Sequence, residues 1–238
     1  MSIIPKDIQK RPDYLARVKP FIDKSIIKVL TGQRRVGKSY LLYQIIQHIQ
    51  KINPEASIIY INKEDLSFSA IQNADQLNEY VLEKAATQEM NYVFIDEIQE
   101  IDQFQDALRS LLLKDNLDIY CTGSNANLLS SDIAGVLSGR FIEIKIYSLS
   151  YLEFLQFHQL DDDQSSLEWY MKFGGLPYLK HLPLKDEVIF EYLKNIYTTI
   201  LYRDIINRFN VRKTTILEQL VTFLADNTGS LFSAKKIS

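Results

Sequence analysis

Short apolar segments alternate with amphipathic segments through the first 150 residues, and this alternation restricts the possible fold more than any other feature. Between the apolar segments, large aliphatic side chains recur three or four positions apart, which is the spacing of one helix face. Short strands that alternate with helices predict βαβ units, and hence a parallel sheet covered on both faces. The five predicted strands are residues 25–31, 57–61, 92–95, 117–122 and 141–146.

The periodicity changes after residue 150, where only helical spacing remains. Apolar residues are separated by four, three and four positions between Ile189 and Ile200, and a second apolar face lies between Ile216 and Leu224. We therefore predict an α/β domain at residues 1–148 and a smaller all-helical domain at residues 149–228.

The composition is that of an ordinary globular chain. Hydrophobic residues make up 46% and charged residues 24% of the 238 positions, which excludes disordered and fibrous classes. No apolar run approaches the ~18 residues of a membrane-spanning helix, and residues 1–10 lack the apolar core of a signal peptide. The single cysteine, Cys121, forms no internal disulfide, so we expect a buried structural thiol and a reducing, cytoplasmic location.

Positive charge is concentrated near the amino terminus, although the whole chain has a net charge of −3. Residues 1–38 contain ten basic and three acidic side chains, whereas the remaining residues contain 17 basic and 27 acidic ones. The acidic remainder excludes the overall electrostatic footprint of a nucleic-acid-binding protein. The basic segment either concentrates small anions or is a solvated helix face. The motif within this segment, which is described next, decides between the two interpretations.

A complete G-x-x-x-x-G-K-S pattern lies between the first predicted strand and the first long helix. The glycines allow successive backbone N–H groups to turn inward around a phosphate, and the helix adds the positive end of its dipole. Lys38 would bridge the β- and γ-phosphates, and the Ser39 hydroxyl would ligate Mg²⁺. The predicted phosphate-binding residues are Gly32, Gln33, Arg34, Arg35, Val36, Gly37, Lys38, Ser39 and Tyr40.

Two adjacent carboxylates, Asp96 and Glu97, close the third predicted strand. They come to the carboxyl edge of the sheet, where open α/β sheets bind their ligands. An aspartate here can hold the hydration shell of Mg²⁺, and a neighbouring glutamate can activate a water molecule as a general base. The pair therefore favours hydrolysis over simple nucleotide storage, with Asp96 as the metal residue and Glu97 as the base.

Three further polar residues are candidates for contact with the γ-phosphate. Ser124 and Asn125 follow the fourth predicted strand, where either one would contact the phosphate, orient the water or cap the next helix. Arg140 precedes the fifth strand, where an arginine stabilises charge on the transferred phosphoryl group, in its own chain or in a neighbouring subunit. A surface ion pair is the alternative for Arg140.

Two other patterns predict no additional ligand. Residues 62–65 spell N-K-E-D, which resembles the guanine-reading sequence of GTPases, but they follow the second strand, upstream of Asp96 and Glu97. We interpret them as a turn at the strand end, and they do not indicate GTP. The three histidines share no metal-ligand spacing with one another or with Cys121, so no metal beyond Mg²⁺ is implied.

Together, the segments GQRRVGKS, YVFIDE, TGSN, SGRF and GGLP resemble the prokaryotic AAA-type ATPases whose relatives carry a C-terminal domain of unknown function. The resemblance implies a P-loop NTPase fold with a five-stranded parallel sheet flanked by helices, followed by a smaller all-helical lid domain. In that sheet the phosphate-loop strand would lie between the strands of the first βα units, and the TGSN strand would separate it from the Asp96 strand. Residues 11–15 would pack beside the adenine.

The resemblance also covers the later part of the chain. It implies that residues 174–177 form a lid motif over the nucleotide, with Pro177 toward the adenine; the alternative is that Gly174 simply ends a helix as its C-cap. Similar proteins continue into a winged-helix region and a further domain. Residues 229–238, with Ser233 as a helix N-cap, resemble the start of a helix-turn-helix, so we expect a truncated chain and assign it no DNA contact.

The sequence therefore predicts Mg²⁺-dependent binding and hydrolysis of ATP. The predicted partners are ATP and either a second copy of the chain or another protein, and no membrane contact is expected. One alternative is a slow nucleotide-dependent switch that exposes a surface for a protein partner, and another is the ATPase part of a longer DNA-binding protein. The predicted catalytic residues are Glu97, Lys38, Arg140, Asn125 and Ser124.

Overall fold

The computed structural model of the chain describes residues 4–5, 7–86, 89–123, 135, 137, 139–200 and 214–230. The strands are β1 (Ile27–Thr31), β2 (Ser57–Asn62), β3 (Asn91–Asp96), β4 (Leu117–Gly123) and β5 (Phe141–Lys145). The α-helices within the described residues are α1 (Pro12–Val18), α2 (Lys38–Ile52), α3 (Ala74–Lys84), α4 (Phe104–Leu111), α5 (Tyr151–His158), α6 (Gln164–Phe173), α7 (Asp186–Ile200) and α8 (Thr214–Asp226).

The five strands form one parallel sheet in the order β2-β3-β4-β1-β5, which confirms the predicted α/β class. Strand β4 separates β1 from β3, as the resemblance implies. The expectation that β1 lies between the strands of the first βα units is wrong, because β4 and β5 flank it. Strand β4 can occupy this interior position because all seven of its residues are buried.

Apolar side chains pack in two layers, one on each face of the sheet. Along β3, Val93 and Ile95 belong to the layer that includes residues of α3 and α4. Tyr92 and Phe94 belong to the opposite layer, which includes residues of α1 and α2. Because successive strand residues point to opposite faces, a strand covered on both sides has a continuous apolar run.

The described contacts divide the chain into two compact units, Met1–His181 and Leu182–Ser238. Residues 149–181 fall in the first unit, and helix α5 bonds to the amino-terminal segment of that unit. The Glu153 carboxylate of α5 binds Arg11, and the Gln156 carbonyl accepts a hydrogen bond from Gln9 at 2.8 Å. The units therefore do not divide at residue 148, and the domain ranges 1–148 and 149–228 stay a prediction. Residues 231–238, including Ser233, lie outside the described residues.

A buried ion pair joins β1 to β4 near their amino ends. Lys28 Nζ donates to Asp118 Oδ1, and both side chains are at most 1% exposed. The carboxylate also accepts hydrogen bonds from the Tyr120 hydroxyl at 2.7 Å and from the Asp23 N–H at 2.9 Å. Burial lowers the pKa of Lys28 and raises the pKa of Asp118, and the attraction between the two groups opposes both shifts.

Cys121 lies on β4 in the apolar layer that includes residues of α3 and α4, and it is fully buried, which agrees with the predicted structural thiol. Burial raises the pKa of this thiol to about 12. The thiol is therefore protonated at neutral pH and a poor nucleophile. Among the helices that the structure describes, none combines the length and the apolar character needed to cross a membrane.

Candidate functional site

The loop of residues 32–37 joins β1 to α2 at the carboxyl edge of the sheet. Gly32 has a φ of +149°, and a Cβ atom on it would lie 2.3 Å from the carbonyl oxygen of Ile146. Only glycine fits this position, because a side chain would collide with main-chain atoms. Helix α2 begins at Lys38, so the positive end of its dipole lies at the loop. This strand–loop–helix order is the one that the G-x-x-x-x-G-K-S pattern predicts.

The Lys38 side chain folds back along the loop. Its Nζ donates to the carbonyl oxygens of Gly32 and Gln33, each at 3.1 Å, and lies 3.9 Å from Oε1 of Glu97. The side chain is only 4% exposed. Burial lowers the pKa of Lys38, and the Glu97 carboxylate opposes this shift. The lysine is thus a buried cation held between main-chain carbonyls and one carboxylate.

Three hydroxyl groups bind the carboxylate of Asp96 at the end of β3. Thr122 of β4 donates to Oδ1, Tyr60 of β2 donates to Oδ2 at 3.2 Å, and Ser39 of α2 is also hydrogen-bonded to this carboxylate. The Tyr60 hydroxyl has one proton, which it donates to the carboxylate. The Tyr43 hydroxyl, 3.1 Å away, therefore donates to the Tyr60 oxygen. Burial raises the pKa of Asp96, and the Thr122 and Ser39 hydrogen bonds oppose that shift.

Glu97 follows in a left-handed backbone conformation, with a φ of +56°. Such a conformation costs a residue with a side chain on the order of 1 kcal/mol, and it is found preferentially at functional sites. The Glu97 N–H donates to Thr122 Oγ1 at 3.0 Å, which fixes the turn. The Glu97 carboxylate accepts from the Gln99 amide and faces Lys38. The two adjacent carboxylates therefore have different partners.

Arg11 connects the loop to the segment that follows β5. Its side chain is 4% exposed, and its guanidinium donates to the carbonyl oxygens of Val36 at 3.1 Å, Tyr147 at 3.0 Å and Ser148 at 3.4 Å. It also binds both carboxylate oxygens of Glu153, at 2.7 and 3.0 Å. These five hydrogen bonds use all five N–H groups of the guanidinium.

Pro177 lies at the phosphate loop. Its Cγ atom is 3.8 Å from the position that a Cβ atom on Gly37 would take. Gly174 has a φ of +75° and follows the last residue of α6, so this glycine is a helix C-cap. The capping role of Gly174 and the placement of Pro177 beside the loop are compatible, because different residues of the GGLP segment provide them.

Arg140 lies at the opposite, amino edge of the sheet. It is exposed, and its carbonyl accepts a hydrogen bond from the N–H of Ile27 at the start of β1. Strands β1 and β5 run in register from the Ile27–Phe141 pair to the Thr31–Lys145 pair. Five strand residues at ~3.3 Å each place the Arg140 main chain about 16 Å from the loop. The fold therefore does not bring Arg140 to the loop of its own chain.

The structure describes some of the other predicted site residues and not others. Gln33, Arg35 and Tyr40 are exposed at the loop and the first turn of α2, and Arg34 is half-buried. Ser124 and Asn125 lie outside the described residues, since β4 is described only to its end at residue 123. Their predicted contacts stay predictions.

The N-K-E-D segment forms a turn at the end of β2, as interpreted from the sequence. The Asp65 side chain accepts a hydrogen bond from the Ser67 N–H, and Lys63 Nζ donates to the carbonyl oxygens of Phe68 and Ile71. Glu64 is close enough to raise the pKa of Lys38 slightly against the effect of burial. The lysine and the aspartate of the pattern thus hold the local backbone.

Three contributors to the site were not predicted as such: Tyr60, Thr122 and Arg11. Thr122 had a signal, because it ends the predicted fourth strand two residues before Ser124, the first of the two residues that were singled out there. Tyr60 had none, because an aromatic residue in a strand is common, and for Arg11 the resemblance implied only that residues 11–15 pack beside the adenine. Their contacts depend on which strands become neighbours and on how the amino-terminal segment packs.

Three features together define the class of P-loop nucleotide-binding modules. They are the parallel sheet, the glycine-bounded loop before α2, and the Asp-Glu pair at the end of β3, which β4 separates from β1. Residues 24–155 match the model of a family described as an AAA domain. Because this match covers more than half of the chain, the chain belongs to that AAA family. Residues 164–238 match a domain of unknown function.

Relatives in two organisms match most of the chain. An uncharacterized protein of Haemophilus influenzae is 38% identical over 241 residues, covering 98% of this chain and 59% of its own length. An uncharacterized protein of Methanocaldococcus jannaschii is 33% identical over 226 residues, covering 89% of this chain and 49% of its own length. The chain thus spans about half to three fifths of the length of these relatives.

Solved structures show a weaker similarity. AMPPCP-bound DnaA from Aquifex aeolicus is 14% identical, with a TM-score of 0.47 over 94% of this chain and 74% of that chain. Domain III of the replication initiation protein DnaA from Thermotoga maritima is 13% identical, with a TM-score of 0.48 over 74% of this chain and 82% of that chain. Scores at this level support no functional comparison, and the fold assignment follows from the strand order and the family match.

Proposed function

We propose that this chain binds ATP together with Mg²⁺ and hydrolyses it. Membership of the AAA family supports nucleotide binding. The observation that carries the proposal is the convergence of four side chains at the carboxyl edge of the sheet. Ser39 is hydrogen-bonded to Asp96, and Lys38 lies 3.9 Å from Glu97.

The chemistry of these groups fits a magnesium–triphosphate ligand. The Ser39 hydroxyl and the Asp96 carboxylate supply the oxygen donors that Mg²⁺ prefers, directly or through its water. The Lys38 amine is bonded to neutral main-chain carbonyls, and a phosphate oxygen is a stronger partner for a cation. When bound, Mg²⁺ neutralises charge on the phosphate oxygens. The first amides of α2 complete the set of phosphate donors.

Glu97 is the group that we assign as general base. Its carboxylate takes a proton from a water molecule while the water oxygen forms a bond to the γ-phosphorus. The bond from that phosphorus to the β–γ bridging oxygen breaks, and the products are ADP and inorganic phosphate. The position of Glu97 beside Lys38, on the strand end next to Thr122, supports this assignment.

Calorimetric titration with ATP and GTP, each with and without Mg²⁺, tests the proposal. We expect the parent protein to bind ATP more tightly when Mg²⁺ is present, and Lys38→Ala to abolish binding because it removes the cation that faces the phosphates. Lys51→Ala is the matched control, because Lys51 lies in the last turn of the same helix and is exposed. A parent protein that binds neither nucleotide contradicts the proposal, and equal affinities for ATP and GTP contradict a preference for adenine.

We assign Arg140 to the active site of a neighbouring copy of the chain. Its placement about 16 Å from the loop of its own chain supports action in trans over action in cis. A guanidinium supplied by a neighbour stabilises charge on the transferred phosphoryl group, because it stays charged and its planar fork matches phosphate oxygens. This assignment makes a second copy of the chain a partner in catalysis.

A slow nucleotide-dependent switch is the second candidate, and the position of Pro177 favours it. Pro177 Cγ lies 3.8 Å from the position that a Cβ atom on Gly37 would take, so we expect occupation of the loop to act on the GGLP segment. A ligand shifts such an equilibrium only by the difference in its affinity for the two states. Steady-state turnover separates the candidates, since rates per second indicate a productive ATPase and rates per minute or slower indicate a switch.

A further inference from the structure

The guanidinium of Arg11 is held in a single orientation by partners on three segments of the chain. It contacts the loop at Val36, the segment after β5 at Tyr147 and Ser148, and helix α5 at Glu153. With 4% exposure and no N–H group left over, it cannot rotate without breaking charge-assisted hydrogen bonds. The group is therefore a rigid part of the protein interior.

The contact with Val36 has a geometric consequence for the next residue. The carbonyl of Val36 and the N–H of Gly37 belong to one peptide unit, and the described chain contains no cis peptide bond. In a trans peptide the C=O and N–H bonds point in opposite directions. Because Arg11 binds the Val36 oxygen, the Gly37 N–H is directed away from Arg11.

We propose that Arg11 is a positioning residue for the phosphate loop, which by holding the Val36 carbonyl orients the Gly37 amide as a donor to a bound phosphate. This inference rests on the proposed nucleotide site. It differs from the role in adenine packing that the resemblance implies for residues 11–15, because the contact is with the loop main chain. Arg11 acts through the loop and does not itself contact the ligand.

Only an arginine satisfies this arrangement. Its planar fork reaches the Val36 and Tyr147 carbonyls through one nitrogen and the Glu153 carboxylate through the other two. A lysine keeps the charge and can still pair with Glu153, but its single nitrogen does not span the carboxylate and the loop carbonyl together. Arg11→Lys therefore retains the ion pair while releasing the loop.

Titration of the parent and Arg11→Lys with Mg²⁺–ATP and with inorganic tripolyphosphate tests the proposal, at a temperature at which circular dichroism shows both to be folded. We expect Arg11→Lys to bind both probes about 10- to 100-fold more weakly, with kcat at saturating ATP within about twofold of the parent. A merely structural role lowers the melting temperature and leaves both affinities unchanged. Asp7→Asn is the matched control, since it breaks the ion pair of Lys180 with the exposed Asp7, another amino-terminal ion pair outside the loop.

Each outcome separates this inference from the proposed function. A parent protein that fails to bind ATP overturns the nucleotide site and this inference with it. A parent that binds ATP and an Arg11→Lys variant that binds equally well overturn only the inference. If Arg11→Lys does not fold, the Glu153→Gln variant is tested in its place. Its amide nitrogen is a donor where Glu153 has an acceptor, so one hydrogen bond to the Arg11 guanidinium is lost and the guanidinium is held less firmly. A smaller loss of affinity in Glu153→Gln supports the proposal, and parent affinity overturns it.

Discussion

At the scale of single residues, the neighbouring carboxylates Asp96 and Glu97 are held in different ways. Asp96 is 2% exposed and bound by the hydroxyls of Ser39, Tyr60 and Thr122. Glu97 sits in a left-handed turn and faces the Lys38 amine. This difference in partners supports the two proposed roles, in which Asp96 acts at the metal and Glu97 accepts the proton of the attacking water.

We expect Glu97→Gln to keep ATP binding and to lower turnover about 10²- to 10⁴-fold, because the amide cannot accept the proton of the attacking water. The measurement is steady-state phosphate release beside a calorimetric affinity for Mg²⁺–ATP. Glu100→Gln removes the same charge from an exposed position three residues away and serves as the control. Parent-like turnover in Glu97→Gln shows that another group is the base.

Residues contiguous in sequence were the predictable part of the site. The segment from Gly32 to Ser39 could be predicted because its glycines, its lysine and its serine all lie in one continuous stretch of backbone, so their spacing in the sequence sets their positions. The contacts of Tyr60 and Arg11 could not be predicted in this way. They arise where β2 meets β3 and where the amino-terminal segment meets the loop, and no spacing rule in a single sequence encodes those encounters.

At the scale of secondary structure, the buried pair of Lys28 and Asp118 ties β1 to β4 at the amino edge. We expect Lys28→Met to destabilise the fold by about 3–5 kcal/mol, because it leaves a buried carboxylate without its cation. The double variant with Lys28→Met and Asp118→Leu should lose less unfolding free energy than the sum of the losses in the two single variants. Urea unfolding of the four proteins of this cycle measures the coupling.

The exposed pair of Arg109 and Asp106 on α4 is the control for that cycle, with a 3.4 Å separation and both side chains about half exposed. Removing it should change the unfolding free energy by less than about 0.5 kcal/mol, since water screens such pairs. A Lys28–Asp118 coupling no larger than that of the exposed pair would show that the buried contact contributes no special attraction.

The strands and most of the helices of the first unit were predictable because each is a local pattern. All five strands lie within two residues of their predicted ends, since apolar runs and turn residues mark them directly. The position of β1 between β4 and β5 was not predictable from those patterns. Strand order depends on which buried edges pair over long sequence separations, and the apolar runs of interior strands resemble one another.

At the scale of the whole molecule, buried acids predict a loss of stability at high pH. Burial raises the pKa of Cys121 from 9.0 to about 12, and it also raises the pKa values of Tyr60, Tyr92 and Tyr120. The folded state therefore holds protons that the unfolded state releases above about pH 9. These groups contribute stability that is full below that pH and falls as pH rises, by about 1.4 kcal/mol per pH unit for each group, whereas the lowered pKa values of the buried Lys28 and Lys38 act in the opposite direction.

Urea unfolding at a series of pH values from 8 upward measures this slope. Cys121→Ala should show a shallower decline, because it removes one of the groups that stays protonated only in the folded state. An identical slope in the variant would show that the buried thiol does not differ in proton affinity between the two states.

The trans assignment of Arg140 predicts complementation between two inactive variants. Arg140→Ala should bind ATP nearly as well as the parent but turn over slowly, and Lys38→Ala should not bind. In an equal mixture, an intact loop on one copy can meet an intact arginine on another, so roughly a quarter of the parent activity should return on random assembly. Phosphate release as a function of protein concentration is the measurement. No recovery in the mixture excludes the assignment.

The phosphate loop and Arg140 lie at opposite ends of the strands, and under the proposed trans assignment these two unlike ends of the first unit require each other. Copies that join head to tail through such ends make a heterologous contact, which either closes into a ring or extends as a filament. An open row always leaves one terminal loop without an arginine, whereas a ring leaves none. Full activity per chain would then indicate that the copies form a closed ring, so the rate of nucleotide hydrolysis would measure the state of assembly.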